Sequence, residues 1–404
     1  MYRWGFRRLM AIDLSAFAPT GFSRRRCLLA VAGGVLWPGA WALTPSASAT
    51  LLAAWEADSQ YRVGLISVAG DAWTVQQSVT VPTRPHALLA EPDGTALAVA
   101  RRPGDWLLRW RPGTAQQQWQ WMDGDRRFNG HAIASVNSAH IWTTETDRDN
   151  AQGCLGVREA LSLEKTDEWA THGMDPHELL ALPERLGDFP AGTLMVANGG
   201  IPTLPETGRS KRNVDRLDAS LVALNPKTGA LLGQWRLADP FLSIRHLAWD
   251  ASTQRLGIAL QAEHPAAEDR WRAPVLAVWD GERLFATPES PDLRDYGGAV
   301  AAHPGGGFLV GCPRANALAV FDAKAHWSHS VALLDGCAVA VSAGRWWAGG
   351  SNGVLHAGPG NHVLPQLAVA RSAPRWDNHW QAWPVVAAAS PLVAPHKPIK
   401  SKAG

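Results

Sequence analysis

From Leu51 onward the chain alternates short apolar segments with clusters of Gly, Pro, Asp and Asn. Thr95–Ala100, Thr193–Ala197 and Ser220–Leu224 are rich in Ala, Val and Leu and bounded by turn-forming residues. Segments of that length are strand-sized, and no sustained apolar period of three to four residues marks a helix. The turns are explicit: Pro92-Asp93-Gly94, Asn225-Pro226, Lys227-Thr228-Gly229 and Pro304-Gly305-Gly306. Such residues supply a fixed φ, side-chain bonds to the backbone, or left-handed backbone. The pattern predicts an all-β chain.

One strand start recurs along it. Arg84-Pro85-His86-Ala87-Leu88-Leu89-Ala90-Glu91-Pro92 leads through a turn into a second strand. Asn129-Gly130-His131-Ala132-Ile133, Asp175-Pro176-His177-Glu178-Leu179-Leu180 and Ile244-Arg245-His246-Leu247-Ala248 do the same. Tyr296-Gly297-Gly298-Ala299 puts Gly298 in the histidine slot, Asp335-Gly336-Cys337-Ala338 puts Cys337 there, and Asp377-Asn378-His379-Trp380 restores histidine with His379. Successive slots lie 45, 46, 69, 52, 39 and 42 residues apart, against about 40–45 for a four-stranded propeller blade. The polar insertion Gly199–Asp218 accounts for the long interval. The last start leaves room for one strand, and Leu51–Val81 for about three. The expectation is therefore a seven-bladed β-propeller over residues 50–384, in which a C-terminal strand completes the first blade and removes the sheet edges. Residues 385–404, rich in Ala, Val, Pro and Lys, read as a disordered tail.

In a propeller the first strand of each blade is innermost, and its first residues sit at one mouth of the channel. Seven slots would meet there, bringing His86, His131, His177, His246 and His379 together with Cys337. Neutral imidazole suits Zn, Cu, Fe and Ni, and a thiolate suits softer ions, so the slots predict a transition-metal site with these six residues as ligands. Gly298 would leave a gap for a ligand or solvent. His172 and Glu178 flank His177 and are candidate outer partners of the ligands. For Glu178 a cross-blade salt bridge is the alternative, because strand alternation points it away from His177. Two other readings of the slots stay open: a polar small-molecule pocket, and histidines bonded to a neighbouring blade's backbone. The structural histidine of WD-type repeats precedes the inner strand by several residues, whereas His86 lies six residues before Pro92, inside the strand. Thr144–Asp149 reads as an exposed charged loop.

Composition narrows the function classes. The 404 residues carry a formal charge of +2 with 18% charged residues, and no basic run in the body offers the footprint a nucleic acid needs. Tryptophan is heavily used, 21 against 3 Tyr and 9 Phe, which fits packing between sheets; a carbohydrate platform is the sharper alternative. No H-E-x-x-H, Walker loop or dinucleotide fingerprint occurs, so these catalytic motifs are absent. An oxidoreductase or hydrolase using the same channel is the enzymatic alternative, although the slots hold none of the carboxylates a propeller hydrolase would use. A scaffold docking partners through Gly199–Asp218, without a cofactor, is the third reading.

Residues 1–49 carry an address. Ser23-Arg24-Arg25-Arg26-Cys27-Leu28-Leu29 precedes the apolar stretch Ala30–Leu36, and Ala40-Trp41-Ala42 and Ala47-Ser48-Ala49 both fit a cleavage pattern. The pattern predicts a twin-arginine signal, export to the periplasm, and a mature chain beginning near Leu43 or Thr50; a Sec signal with incidental arginines is the alternative. The apolar stretch is far shorter than the roughly 20 residues of a membrane span, so no transmembrane segment is expected in the mature protein. With Cys27 in the signal, Cys154, Cys312 and Cys337 remain, enough for one disulfide and a leftover thiol.

In combination, Arg84-Pro85-His86, Gly130-His131, Thr143-Thr144-Glu145, His172-Gly173 with Pro176-His177-Glu178-Leu179-Leu180, and Val196-Ala197-Asn198-Gly199-Gly200-Ile201 are specific. With Pro205-Glu206-Thr207-Gly208-Arg209, Ser243-Ile244-Arg245-His246-Leu247-Ala248 and Trp376-Asp377-Asn378-His379 they span most of the mature chain. The chain resembles an uncharacterised family of bacterial exported propeller proteins, domain of unknown function family 1513. It departs from the family at Asn150–Cys154, where a more Gly-rich loop is usual, and at Gln261–His264, where an aromatic is usual. Members tend to be encoded beside imelysin-like periplasmic proteins and di-haem oxidoreductases of iron-uptake loci. The resemblance thus implies iron or copper handling and periplasmic iron-uptake proteins as partners.

Overall fold

The computed structural model describes residues 48–69, 72–201, 217–288, 293–350, 353–357 and 374–384. Nearly all of the expected signal and linker, most of the Gly199–Asp218 insertion and the 385–404 tail lie outside the described residues.

The first strands are β1 (Ser48–Ala57), β2 (Gln60–Ala69) and β3 (Ala72–Val81). The next sheet is β4 (Pro85–Ala90), β5 (Ala96–Ala100), β6 (Trp106–Trp110) and β7 (Gln117–Trp121). It is followed by β8 (Arg126–Ala134), β9 (His140–Asp147), β10 (Gln152–Glu159) and β11 (Lys165–Met174). Then come β12 (Pro176–Ala181), β13 (Leu194–Asn198), β14 (Ser220–Leu224) and β15 (Leu231–Trp235). The fifth group is β16 (Leu242–Asp250), β17 (Arg255–Ala262), β18 (Leu276–Trp279) and β19 (Leu284–Ala286), with a short helix α1 (Ala267–Arg272) between its middle strands. β20 (Ala299–Ala302), β21 (Phe308–Cys312), β22 (Ala317–Phe321) and β23 (Trp327–Ala332) form the sixth. The last strands are β24 (Ala338–Ser342), β25 (Arg345–Gly350), β26 (Gly353–Ala357) and β27 (Arg375–Ala382).

Each group is an antiparallel sheet in chain order, except that β27 joins the first, giving β27-β1-β2-β3. Leu51 pairs with Ala382 and Trp55 with Trp376, so the C-terminal strand closes the propeller as expected. β4, β8, β12, β16, β20, β24 and β27 contact one another in that circular order, and β27 returns to β4. The strand count corrects one expectation. Six sheets have the four strands of a complete blade, whereas β24-β25-β26 has three among the described residues, so the chain shows six complete blades and not seven.

The middle strands explain the apolar runs. β5, β13, β14, β21 and β22 are buried at every position because sheets pack on both their faces, which removes the alternation of a half-solvated strand. The outer β7 and β15 are polar or half-exposed. Tryptophans fill the wedges between sheets. Trp106 and Trp110 pack with Leu52 and Ala54, Trp279 with Met195 and Leu221, and Trp347, Trp376 and Trp380 with Leu51 and Ala53. Because Trp380 rides on the closing strand and packs edge-on against Trp376 at 5.4 Å, Trp380→Ala is expected to cost about 3–5 kcal/mol. Urea denaturation checks this, and a loss under about 1 kcal/mol would show that closure contributes little. Among the described residues no helix is long and apolar enough to cross a membrane.

Candidate metal centre

The histidine slots become a site through a backbone feature that residue types do not announce. Every histidine-bearing inner strand has an irregular register at its slot. Opposite Val99, β4 places two residues, His86 and Ala87, between the pairs Pro85–Ala100 and Leu88–Ala98. β8 sets Asn129, Gly130 and His131 against Thr144 alone. β12 sets His177 and Glu178 against Ala197, and β16 sets Arg245 and His246 against Ala259. β27 sets Asp377, Asn378 and His379 against Ala54. Bulges bend a strand and re-aim its side chains, and here they turn imidazoles to a common point. β20 and β24 pair regularly from Ala299 and Ala338 onward.

Ion pairs and hydrogen bonds between neighbouring sheets fix these bulges. Arg84 Nε donates to Asp377 Oδ2 at 2.6 Å and Nη2 to Oδ1 at 2.9 Å, tying the strand of His86 to that of His379. Asp175 accepts from Arg102 and, at 3.2 Å, from Arg245 Nη1. Asn129 Nδ2 donates to the Pro176 carbonyl at 2.9 Å, and Thr144 Oγ1 to the His177 carbonyl at 3.1 Å. Gly130, at φ 104°, has no Cβ because one would stand 2.6 Å from His86 Cδ2.

The five imidazoles form one cluster. Ring centroids are 4.8 Å apart for His86–His131, 4.6 Å for His86–His379, and 4.5 Å for both His177–His246 and His246–His379. One ligand atom from each of His86, His246 and His379 lies within 4.8 Å of the others, and the same holds for His86, His131 and His177 and for His131, Glu178 and His246. His177 Nε2 and His246 Nε2 are 3.2 Å apart. Two imidazole nitrogens on one ion at about 2.0–2.1 Å stand about 3.0–3.4 Å apart between right-angle and tetrahedral geometry, so that spacing suits a shared ion. Both ring nitrogens of His86, Nε2 of His131, Nδ1 of His177 and Nε2 of His379 are buried without a hydrogen-bond partner. Buried polar atoms are nearly always satisfied, so this concentration of orphans points to a ligand.

Electrostatics keep the cluster neutral. Burial, then the neighbouring histidines and Arg101, holds His86 well below 6.5. Burial and His246, with Arg102 and Arg245, do the same to His177, and burial with His246, Arg101 and Arg84 to His379. His131 is also pushed well down by burial, against a partial offset from Glu178. His246 is lowered to about 3 by burial and Arg245. Neutral imidazoles keep the lone pair a metal needs.

Glu178 supplies the outer contact. Oε2 accepts from the Leu247 N–H at 3.0 Å and lies 3.1 Å from His246 Nδ1, while Oε1 lies 3.8 Å from His131 Nδ1. A proton on His246 Nδ1 shared with this carboxylate leaves Nε2 bare towards the cluster, the carboxylate–histidine arrangement of metal sites. Both Glu178 contacts are with histidines of neighbouring sheets, His131 on β8 and His246 on β16. His172 is exposed and enters none of the ligand groups; only its carbonyl is engaged, by Gln234. Its expected role beside His177 is corrected.

Cys337 stands apart as well. Its N–H donates to the Gly349 carbonyl at 3.1 Å, one position out of step with the Ala338–Gly349 pair, and it joins no ligand group among the described residues. Burial pushes its thiol up, with Asp377 and Asp335 adding to the effect. Nor does Gly298 leave a gap: a Cβ there would meet Cys337 Sγ at 2.5 Å, so the thiol already occupies that space. Cys154, Cys312 and Cys337 are all free and buried. Of the stretch Thr144–Asp149, Thr144 to Thr146 are buried residues of β9, whereas Arg148 and Asp149 lie in the turn that follows it, with Asp149 exposed. Glu145 lies near Cys154 and Glu168, but Arg158 at 2.7 Å and Lys165 at 3.0 Å neutralise it, and burial pushes Cys154 up.

A cavity of about 750 Å³ adjoins the cluster, with His86, His177 and Cys337 in its wall. Arg84, Arg101, Arg102, Arg245, Arg314 and Arg375 also line it. Sequence reasoning passed over these arginines; the signal was Arg84 and Arg245 standing one or two residues before a histidine slot.

The sequence model of a family described as "Protein of unknown function (DUF1513)" matches residues 79–383. No curated protein matches the chain. Among solved structures, hydrazine synthase from Kuenenia stuttgartiensis is similar with a TM-score of 0.54 and 14% identity, covering 77% of this chain and 93% of that one. A functionally unknown protein from Desulfotomaculum acetoxidans DSM 771 is similar with a TM-score of 0.53 and 7% identity, covering 83% and 99%. At such identities the likeness is one of fold alone.

Proposed function

The chain belongs to this family of proteins of unknown function, and on that footing we propose that it is a transition-metal-binding β-propeller whose ion is held by His86, His131, His177, His246 and His379. The observation that carries the reading is the convergence of five buried, neutral imidazoles, four of which have a ring nitrogen without a hydrogen-bond partner. An all-imidazole donor set with one carboxylate behind it suits Cu, Fe, Zn or Ni and not Mg or Ca. We take iron or copper as the ion and the protein as an accessory of iron uptake, exported to the periplasm by the twin-arginine signal of residues 1–49 and working with periplasmic iron-uptake proteins. The three-stranded sheet β24–β26 serves as the seventh blade of the ring in this reading.

The chain's own residues have defined tasks. The five histidines bind, the bulges orient them, and Glu178 holds the proton of His246 at Nδ1 so that Nε2 faces the ion. Glu178→Gln keeps the shape but removes the charge, and is expected to weaken metal binding about 10- to 100-fold. Equilibrium titration of the full chain with Cu²⁺ and with Fe²⁺, followed by elemental analysis, tests the reading. One equivalent of bound metal is expected, and wild-type protein that takes up neither ion would overturn it.

A further inference from the structure

The cavity beside the histidines has a charge of its own. Six arginines line it against three carboxylates, Glu56, Asp335 and Asp377, an excess of three cations on the wall. Some of that charge is answered from behind: Asp295 pairs with Arg314, and the single carboxylate of Asp175 is shared by Arg102 and Arg245. Glu263 also acts electrostatically on Arg245. Arg245 is the sharpest case. Its side chain is 3% exposed, and its Nε is buried with no hydrogen-bond partner. A buried charged donor left without an acceptor is costly. Gln261 and Tyr296 add neutral polar groups to the same wall.

We propose that this cavity binds a small organic anion carrying two or more carboxylates, seated on Arg102 and Arg245 and reaching other arginines of the lining. The guanidinium fork matches a carboxylate in two parallel hydrogen bonds, and about 750 Å³ falls in the range of small-molecule sites. Arginines on separate sheets, Arg84 at the start of β4 and Arg245 on β16, call for more than one anionic group. The site stands on the arginines and does not depend on the metal.

The test is calorimetric titration of the full chain, freed of metal on a chelating resin, with citrate and separately with phosphate. Saturable citrate binding is expected, tighter than phosphate, which offers a single anionic centre. Arg245→Gln is expected to lose about 10- to 100-fold in citrate affinity, and Arg314→Gln, half-exposed on the rim, gives a second variant should Arg245→Gln fail to fold. His246→Ala, outside the lining, is expected to lose metal yet keep its citrate affinity, so the two proposals fail separately. The absence of citrate binding to wild type, phosphate binding as tight as citrate, or undiminished citrate affinity in folded Arg245→Gln and Arg314→Gln would each overturn the proposal.

Discussion

His177→Ala and His246→Ala are each expected to lower copper or iron affinity by more than the roughly 10- to 100-fold that follows loss of an outer partner, and the double variant is expected to hold no metal at all. The reason is geometric. Their Nε2 atoms are 3.2 Å apart, and His246 is the ring held in orientation by Glu178. Removing either leaves the ligand groups that contain it one donor short: His86–His131–His177 in one case, and both His86–His246–His379 and His131–Glu178–His246 in the other. His246→Ala should therefore cost more than His177→Ala. Two controls separate this from general damage. His172→Ala and Cys337→Ser change residues that enter no ligand group, and both are expected to keep the wild-type metal load. Elemental analysis of the folded variants decides the matter: wild-type load in the double variant would mean that the ring is not the site.

The strand pattern and the recurring start were legible because both are local. A turn residue or an apolar run carries its meaning in a few neighbouring positions, and the spacing of the starts exposed the repeat. The convergence of His86, His131, His177, His246 and His379 followed from that repeat. What sequence could not show was where each slot's side chain is aimed. Cys337 occupies the same alignment position as the histidines, yet its thiol packs beside Gly298 and joins no ligand group among the described residues. For Glu178 the two readings meet in one side chain, since its contacts across to neighbouring sheets are with His131 and His246. Thr144–Asp149 read as an exposed charged loop because of its carboxylates, but the partners that neutralise buried Glu145, Arg158 and Lys165, come from later strands. The arginines of the cavity are scattered over the whole chain, and nothing local marks them as sharing a wall.

Acidification from pH 7 to pH 5 is expected to unfold the metal-free protein, and the histidine cluster sets both the sign and the size of the effect. In the unfolded chain each imidazole titrates near 6.5, whereas in the fold His246 is lowered to about 3 and the other four stay well below 6.5. Between those limits the unfolded chain binds protons that the native state refuses, so stability is full above 6.5 and falls as pH drops below it. Each histidine contributes about 1.4 kcal/mol per pH unit in that window. Five together approach about 7 kcal/mol per unit, comparable with the roughly 5–15 kcal/mol that holds a typical domain folded. Glu178 acts in the opposite sense: burial raises its pKa, so the fold takes up its proton more readily than the unfolded chain and the slope is reduced on approach to the carboxylate range. A bound ion competes with protons for the same nitrogens and should carry the unfolding midpoint to lower pH. Urea midpoints measured from pH 7.5 to 4.5, with and without metal, give the number of protons taken up on unfolding. His86→Gln, which removes the ring whose two nitrogens both lack partners, is expected to lower that number by about one. A stability that stays level between pH 7 and pH 5 would mean that these imidazoles ionise freely in the native protein, and a cluster so accessible to protons would not be the dry, neutral ligand set on which the metal reading rests.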